Sequence, residues 1–329
     1  MSYTSTNTLP EGTILSAVKD LIELLGYKKY SDGFTITDRI GSYFWTATLP
    51  DISFVGVELS IYKKNNAIKI YTRTSIGRSY WDLEHQNKTI KYLKRYFGGT
   101  FDTDEGSNRY LKVESEEPSR LASELYVARW KFHNALVLPI VYLENRTMDA
   151  NLAGETPMGF EFIDQVNPRF FSNTTIIPYI LGAWEEFLRS SFVAFFHQGV
   201  CTSKVFRNVR FRPEEYMDIL KGEKTLEEQM ADSLSFQRPS VIDSNFKLIN
   251  EKIDIVGVLR KPYRRRKTSL FEFVDKLVDE RNEFVHRGMM VRYVTDNDIK
   301  RAIEDLEVAG DRIYYLFGNV FNLTLSKDF

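Results

Sequence analysis

Apolar residues recur with two different periods along the chain, and the change between them divides the sequence into two parts. In the first 150 residues, segments with helical spacing alternate with segments rich in β-branched and aromatic residues, which are typical of strands. Beyond about residue 173 the strand-like segments almost disappear. The pattern therefore predicts an α+β domain over residues 1–150 and an all-α helical domain over residues 151–329.

The first part is predicted to contain three helices and four strands. The segment ALVLPIVYLE stays ambiguous, because Pro139 disfavours both a central strand and an unbroken helix. KNNA between the second and third strands is a candidate hairpin turn, since asparagine tolerates positive φ. The predicted helices are Thr13–Tyr27, Tyr80–Gly99 and Ser119–His133, and the predicted strands are SYFWTATL, ISFVGVELSIY, AIKIYTRTSI and RYLKVE (Arg109–Glu114).

The boundary between the two parts is expected in Met148–Asn173, a segment without a clear period that contains two glycines and two prolines. The segments that follow have the spacing of helices and suggest a bundle. The predicted helices are Ile176–Gln198, PEEYMDIL, LEEQMADSL, Val241–Leu259, Ser269–Arg287 and Asp296–Asn322.

The helix predicted over Ser269–Arg287 has an arginine in its apolar face. Ser269 and Glu272 form an S-x-x-E capping box, and Gly288 ends the helix. Arg281 falls near the centre of the face, where a charge is costly unless it is paired or lines a cleft. One interpretation is a functional residue or one at a subunit interface. The other is a structural arginine that pairs with an acid such as Glu185. The apolar face consists of Leu270, Phe273, Val274, Leu277, Phe284 and Val285.

One of only four histidines, His286, follows five residues after Arg281. Five residues correspond to roughly 140° around a helix and about 7.5 Å along it, so the two side chains can line two sides of one cleft. His286 also lies in the last turn, where the helix dipole favours a positive imidazole. Such a histidine can exchange a proton near neutral pH, although it is also simply a suitable residue for a helix C-terminus.

The segment RNEFVH resembles the Arg-x4–6-His motif of the HEPN superfamily, in which a polar residue follows the arginine on a late helix of a bundle. The matching residues are Arg281, Asn282 and His286, and AWEEF (Ala183–Phe187) resembles the first bundle helix of some HEPN subfamilies. The resemblance covers about residues 170–329 and implies a HEPN-type helical bundle. No family is recognised in residues 1–150.

The resemblance implies a metal-independent endoribonuclease that acts as a homodimer, with two copies of the motif in one shared cleft. His286 would be the acid/base, Arg281 would hold the phosphate, and Asn282 would orient one of them or the substrate. The 2′-OH of RNA would attack the phosphate and leave a 2′,3′-cyclic phosphate. Many HEPN proteins are toxins or antiviral-defence effectors, so RNA, a second copy, and an antitoxin or defence-system protein are the candidate partners.

Two basic clusters are candidates for contact with an RNA backbone. The segment KVFRNVRFR (Lys204–Arg212) interleaves cations with Phe206 and Phe211, whereas RKPYRRRK immediately precedes the motif helix. The alternative for both is a solvated loop. The predicted RNA-binding residues of the second cluster are Arg260, Lys261, Arg264, Arg265, Arg266 and Lys267.

The composition limits which classes of protein and which kinds of binding site the sequence can contain. The net charge is −1, so a case for nucleic-acid binding depends on local patches. The single cysteine, Cys201, excludes an internal disulfide and a cysteine-based zinc site, and four scattered histidines argue against other metal sites. The sequence contains no Gly-rich phosphate loop, and we expect no cofactor. The polar start MSYTSTNTLPEG lacks the features of a secretory signal, and no apolar run suits a membrane span. We therefore expect a cytoplasmic protein without a membrane partner.

Three functions stay open at this point. The first is RNA cleavage, with residues 1–150 as a sensor, regulator or partner platform. The second is a non-catalytic HEPN module that acts as a scaffold or binds a nucleotide, because the motif alone does not guarantee activity. The third is an unrelated helical adaptor in which Arg281 is structural.

Overall fold

The structure is a computed structural model that describes residues 2–30, 38–47, 53–64, 67–113, 117–146, 154, 156–159, 164, 166–200, 203–264, 266–288, 290 and 292–326. The chain divides into two compact units, Met1–Arg120 and Leu121–Phe329. The first is an antiparallel sheet with helices and the second is helical, which confirms the predicted fold class.

The N-terminal unit contains a seven-stranded antiparallel sheet in the order β2-β3-β4-β5-β1-β6-β7. Lys64 pairs with Ala67, which confirms the hairpin predicted at KNNA. Strand β1 lies inside the sheet, between β5 and β6, although the sequence pattern did not predict it. The strands are β1 (Tyr3–Thr8), β2 (Lys28–Tyr30), β3 (Arg39–Trp45), β4 (Val57–Lys64), β5 (Ala67–Thr74), β6 (Thr100–Thr103) and β7 (Gly106–Ser107).

Helices α1 (Leu15–Leu24) and α2 (Tyr80–Phe97) complete this unit. Asp82 in the first turn of α2 is fully buried and accepts hydrogen bonds from the backbone N–H groups of Val55, Gly56 and Ser79. It therefore fixes the start of β4 against α2.

The strand predicted over Arg109–Glu114 is wrong for the described residues 109–113, which form no strand. The Asn87 side chain instead binds both backbone groups of Leu111: its Oδ1 accepts from the N–H at 3.0 Å and its Nδ2 donates to the carbonyl at 2.9 Å. A helix side chain thus takes the place of a neighbouring strand.

The C-terminal unit is built from helices around one core. Trp184, Phe192, Phe195, Phe246 and Phe317 are buried there with almost no exposed surface. The helices are α3 (Arg120–Asn145), α4 (Pro168–His197), α5 (Ser203–Asn208), α6 (Pro213–Lys221), α7 (Leu226–Asp232), α8 (Pro239–Ile249), α9 (Ile255–Arg260), α10 (Leu270–Arg287) and α11 (Asp296–Phe321).

Helix α3 runs through Pro139 without a break and belongs to the C-terminal unit. Its buried residues Leu125, Phe132 and Leu136 lie in the same core as Trp184. The division between the compact units therefore falls at Arg120, N-terminal to the segment 148–173 in which the sequence pattern placed it.

The helix predicted over Val241–Leu259 is two helices, α8 and α9. Asn250 takes an extended conformation at the end of α8. The Asp243 carboxylate accepts from the N–H of Ile255 at 2.8 Å, and Asp254 accepts from Gly257 at 2.9 Å. These two acceptors satisfy the first donors of α9, so a new helix begins there.

Candidate active site on helix α10

Helix α10 carries Arg281, Asn282 and His286, and it packs against α4, α8, α9 and α11. Its predicted ends are confirmed. Ser269 and Glu272 form the reciprocal capping box, and Gly288 adopts a left-handed conformation with φ of 64°. Both ends are therefore fixed locally, which holds the motif in a defined place at the C-terminal end of the helix.

Arg281 is half-buried and has few partners. Its Nη1 donates to Asn282 Oδ1 at 3.1 Å. Its Nε is buried and has no hydrogen-bond partner among the described residues, and no described carboxylate lies within 4.0 Å of its guanidinium. A guanidinium carries five N–H donors, and those on Nη1 and Nη2 that Asn282 does not occupy are available to an anion.

Glu185 of α4 is the acid that acts electrostatically on Arg281. Burial raises the pKa of Glu185, while the charge of Arg281 and a hydrogen bond with Gln237 act in the opposite direction. The two side chains interact, but not as an ion pair within 4.0 Å. This geometry argues against a purely structural Arg281–Glu185 salt bridge.

His286 is exposed in the last turn of α10. Its neighbour Val285 is 51% exposed, and Phe284 contacts the ring of Phe171, which is 55% exposed. An accessible imidazole thus lies beside an apolar surface on α4 and α10. Arg281 and Asn282 are brought into contact, whereas His286 lies five residues further along the helix.

A buried ion pair that the sequence pattern missed involves Glu280, the residue directly before the motif arginine. Glu280 is 8% exposed and accepts from Arg292 Nε at 2.8 Å and Nη2 at 3.2 Å. Arg292 also lies 3.2 Å from Asp298 of α11. The pair ties the segment after α10 to both helices and stabilises the end that carries His286.

A second buried network fixes the start of α11. Arg146, whose side chain is almost completely buried, and Arg169 both donate to the Asp296 carboxylate. Asn173 Nδ2 donates to the same group at 2.8 Å and to the carbonyl of Val294 at 2.9 Å. Burial alone would raise the pKa of Asp296, but the hydrogen bonds from Arg169, Asn173 and Arg146 lower it to about 2.

The basic segment before α10 is partly committed to internal contacts. Arg264 pairs with Glu304 at 2.6 Å, and Arg266 pairs with the buried Asp305. Arg260 stacks over the ring of Phe271. Arg265 lies outside the described residues.

Lys261 and Lys267 are exposed and make no ion pair with the described residues. Of the predicted RNA-binding residues, these two lysines therefore have the most freely available charges. The segment lies at the start of α10, roughly 24 Å along the helix axis from His286.

The other histidines have local structural partners. His133 lies 2.8 Å from Glu307, and His197 lies 3.3 Å from Glu124. His85 of the N-terminal unit stacks on Trp45 with ring centroids 3.7 Å apart, and burial lowers its pKa to about 3. His286 is thus the histidine whose imidazole stays most accessible.

Replacing Arg281 with methionine is expected to leave the free energy of unfolding unchanged or raise it by up to about 1 kcal/mol. The substitution removes a half-buried guanidinium whose Nε has no hydrogen-bond partner among the described residues. It also places an apolar side chain in the apolar face of the helix. Urea unfolding followed by circular dichroism measures the change.

The matched control is Arg292→Met, which leaves Glu280 buried without its main partner. It should lower the free energy of unfolding by at least about 2 kcal/mol. A similar loss from Arg281→Met would show that Arg281 is a structural residue.

The family model described as RiboL-PSP-HEPN matches residues 161–319. No curated protein and no solved structure matches the chain. Within the described residues, no helix is long and apolar enough to cross a membrane, and no three His, Cys, Asp or Glu side chains are grouped to hold a metal ion.

Proposed function

We propose that this chain, whose residues 161–319 match the family model described as RiboL-PSP-HEPN, is an endoribonuclease. The HEPN superfamily includes ribonucleases. The observation that carries the proposal is the state of Arg281: it is half-buried, it makes no ion pair within the described residues, and it contacts Asn282 on the helix that carries an accessible His286.

The proposed reaction uses a nucleophile that RNA itself contains. The 2′-oxygen attacks the neighbouring phosphorus while the bond from phosphorus to the 5′-oxygen breaks. The proton of the 2′-OH passes to a neutral imidazole, and a protonated imidazole returns a proton to the departing 5′-oxygen. The products are a 2′,3′-cyclic phosphate and a 5′-OH, and the step needs neither a metal nor an external cofactor.

In this proposal Arg281 binds the non-bridging phosphate oxygens and stabilises the charge that develops on them. Asn282 accepts a hydrogen bond from Arg281 and therefore orients the guanidinium. His286 is the acid/base.

A second copy of the chain would supply the second imidazole. Phe171 and Val285 expose apolar surface beside the motif, and such surface favours a subunit interface there. A homodimer with two motif copies in one cleft would provide one histidine as base and one as acid. We further propose that the chain is a toxin or defence effector in the cytoplasm and that it has an antitoxin or defence-system partner. The N-terminal unit would then have a regulatory role.

The direct experiment incubates the purified chain with total RNA in the presence of EDTA and maps the ends of the fragments. We expect the wild-type chain to produce fragments with 2′,3′-cyclic phosphate ends and the His286→Ala variant to produce none. A non-catalytic HEPN module that serves as a scaffold or nucleotide binder is the alternative, and it predicts intact RNA with both proteins.

Charge removal in the basic segment tests its proposed contact with RNA. The double variant Lys261→Gln, Lys267→Gln should raise KM severalfold and leave kcat unchanged. It should also reduce the slope of log KM against log salt by up to about 1.4, because each lost phosphate contact in single-stranded RNA contributes about 0.7. Cleavage rates measured over a range of salt concentrations give both values.

The matched control is Lys221→Gln, Lys252→Gln, which removes the same charge from exposed sites outside this segment. It should leave KM and the salt slope nearly unchanged. Equal effects of the two double variants would show that only the net charge matters and that the basic segment makes no specific contact.

A further inference from the structure

A cleft of about 470 Å³ lies between α4 and the segment that joins α7 to α8. This volume is within the range of small-ligand sites and exceeds that of a nucleobase. The residues on which the inference depends are Gly182, Glu185, Arg189, Asp232, Ser235 and Gln237.

The cleft adjoins the motif through Glu185. Glu185 and Gln237 both line the cleft, and the charge of Arg281 acts on the Glu185 carboxylate. Helix α4, which carries Glu185, packs against α10, so a nucleoside in the cleft would lie near the helix whose Arg281 would hold its phosphate. This is the arrangement expected of a subsite for a nucleoside attached to that phosphate.

The wall that carries Ser235 and Gln237 is held rigidly. Phe236 between them is buried against Phe192 and Phe246, with ring centroids 5.5 and 6.2 Å away. The carbonyl of Ser235 accepts from Asn245 at 2.8 Å.

Immediately after Gln237, Arg238 donates to Asp275 of α10 at 2.9 Å and also pairs with Asp279. The wall is thus fastened to the motif helix and is formed before any ligand binds.

Glu185 is the acid of the cleft that stays available. Asp232 is occupied by Arg189 at 2.6 Å and Lys224 at 2.8 Å. Glu186 accepts from Ser190 at 2.6 Å. Among the described residues, no basic side chain lies within 4.0 Å of Glu185, so its half-buried carboxylate can accept hydrogen bonds from a ligand.

We propose that this cleft binds a guanine base of the RNA, an inference that rests on the proposed ribonuclease function. A carboxylate only accepts hydrogen bonds, and its two oxygens match two adjacent donors. On the Watson–Crick edges of the four bases, guanine alone offers two adjacent donors, N1–H and the N2 amino group.

Gly182 leaves the space that a base needs. Glycine is unfavourable inside a helix, yet this one lies within α4, and an added Cβ would meet no atom within 4 Å. A larger side chain at this position, which lines the cleft, therefore fits without meeting another atom of the protein. Gly182→Leu is thus a substitution that blocks the site without disturbing the core.

The test measures equilibrium binding of 3′-GMP, 3′-IMP and 3′-AMP to the full chain. Inosine differs from guanosine only by the missing N2 amino group. We expect 3′-GMP to bind about tenfold more tightly than 3′-IMP or 3′-AMP, because only guanine donates both N1–H and an N2 hydrogen to the Glu185 carboxylate. Glu185→Gln should abolish this preference and Gly182→Leu should abolish binding. The control Ser244→Leu replaces an exposed serine on α8 outside the cleft, and it should change neither the affinity nor the preference for guanine.

Equal affinity for the three nucleotides, or full binding by Gly182→Leu, overturns the inference. The outcome is separate from that of the ribonuclease assay. Cleavage without a guanine preference would leave the proposed function intact and overturn the guanine site. Guanine-selective binding by a chain that cuts no RNA would support the site and overturn the nuclease.

Discussion

Replacing Arg281 or His286 with alanine is expected to lower the single-turnover rate of RNA cleavage by about 10³-fold. Loss of His286 removes the proton transfer, and loss of Arg281 removes the charge that stabilises the phosphate in the transition state. Both variants should unfold like the wild type, since His286 is exposed and Arg281 makes no ion pair within the described residues. Rates on a labelled RNA, with circular dichroism for folding, measure both effects.

The matched control for both variants is Arg287→Ala. Arg287 lies in the same turn as His286, is exposed, and pairs with Glu283 at 2.9 Å. Its loss should change the rate less than about threefold, because surface ion pairs contribute little. A folded His286→Ala or Arg281→Ala variant that cuts RNA at the wild-type rate would remove these residues from the mechanism.

The double variant Arg281→Ala, His286→Ala provides a further constraint. Residues that act together in one transition state lose activity in a strongly non-additive way. We therefore expect the double variant to be only slightly slower than the slower single variant. Multiplying effects would indicate that the two residues act in separate steps.

The largest stability effect is expected from Asp296→Asn, which should lower the free energy of unfolding by about 3 kcal/mol. The substitution removes the negative charge to which the buried Arg146 and the neighbouring Arg169 both donate. Asp275→Asn is the matched control, because it removes an acid from a partly exposed pair with Arg238. The control should cost less than about 1 kcal/mol in urea unfolding.

The stabilisation that Asp296 provides should depend on pH. The folded pKa of Asp296 is about 2, below its ordinary value of 3.8. A lowered pKa means that the stabilisation is present above pH 3.8 and is lost as the pH falls towards 2, with a magnitude of about 2 kcal/mol. The difference between wild type and Asp296→Asn should therefore shrink over this interval. A difference that stays constant would show that ionised Asp296 does not stabilise the fold.

Elements with local signals could be predicted from the sequence. Helix α10 has its capping box and terminal glycine within the helix segment itself, so both ends were predicted correctly. Helix α11 likewise begins at Asp296 as predicted, directly after the cap at Thr295. Signals of this kind depend on residues three or four positions apart, which are visible without a structure.

Strand β1 could not be predicted because its inward-facing side chains are polar. Ser5 and Asn7 are buried, and Ser5 lies 2.6 Å from Thr72 of the neighbouring strand β5. Gln86 of α2 donates to the same threonine at 3.0 Å. The strand is stabilised by partners far away in the sequence, so hydrophobic periodicity gave no sign of it.

The candidate site was predicted in its residue types but not in its surroundings. Arg281, Asn282 and His286 stand out from their spacing alone. Arg281 and Glu185 lie about 100 positions apart in the sequence, and Asp296 and Arg146 lie about 150 positions apart. Only the folded bundle shows that Arg281 and Glu185 form no ion pair within 4.0 Å, whereas Asp296 and Arg146 do form one.

The most direct measurement uses a short RNA with one mapped cleavage site, assayed in EDTA beside a strand with a single 2′-deoxynucleotide before the scissile phosphate. Attack by the 2′-oxygen predicts that the all-ribose strand is cut to a 2′,3′-cyclic phosphate and that the substituted strand stays intact. Cleavage of the 2′-deoxy strand, or a product that ends in a 3′-OH, would contradict the account.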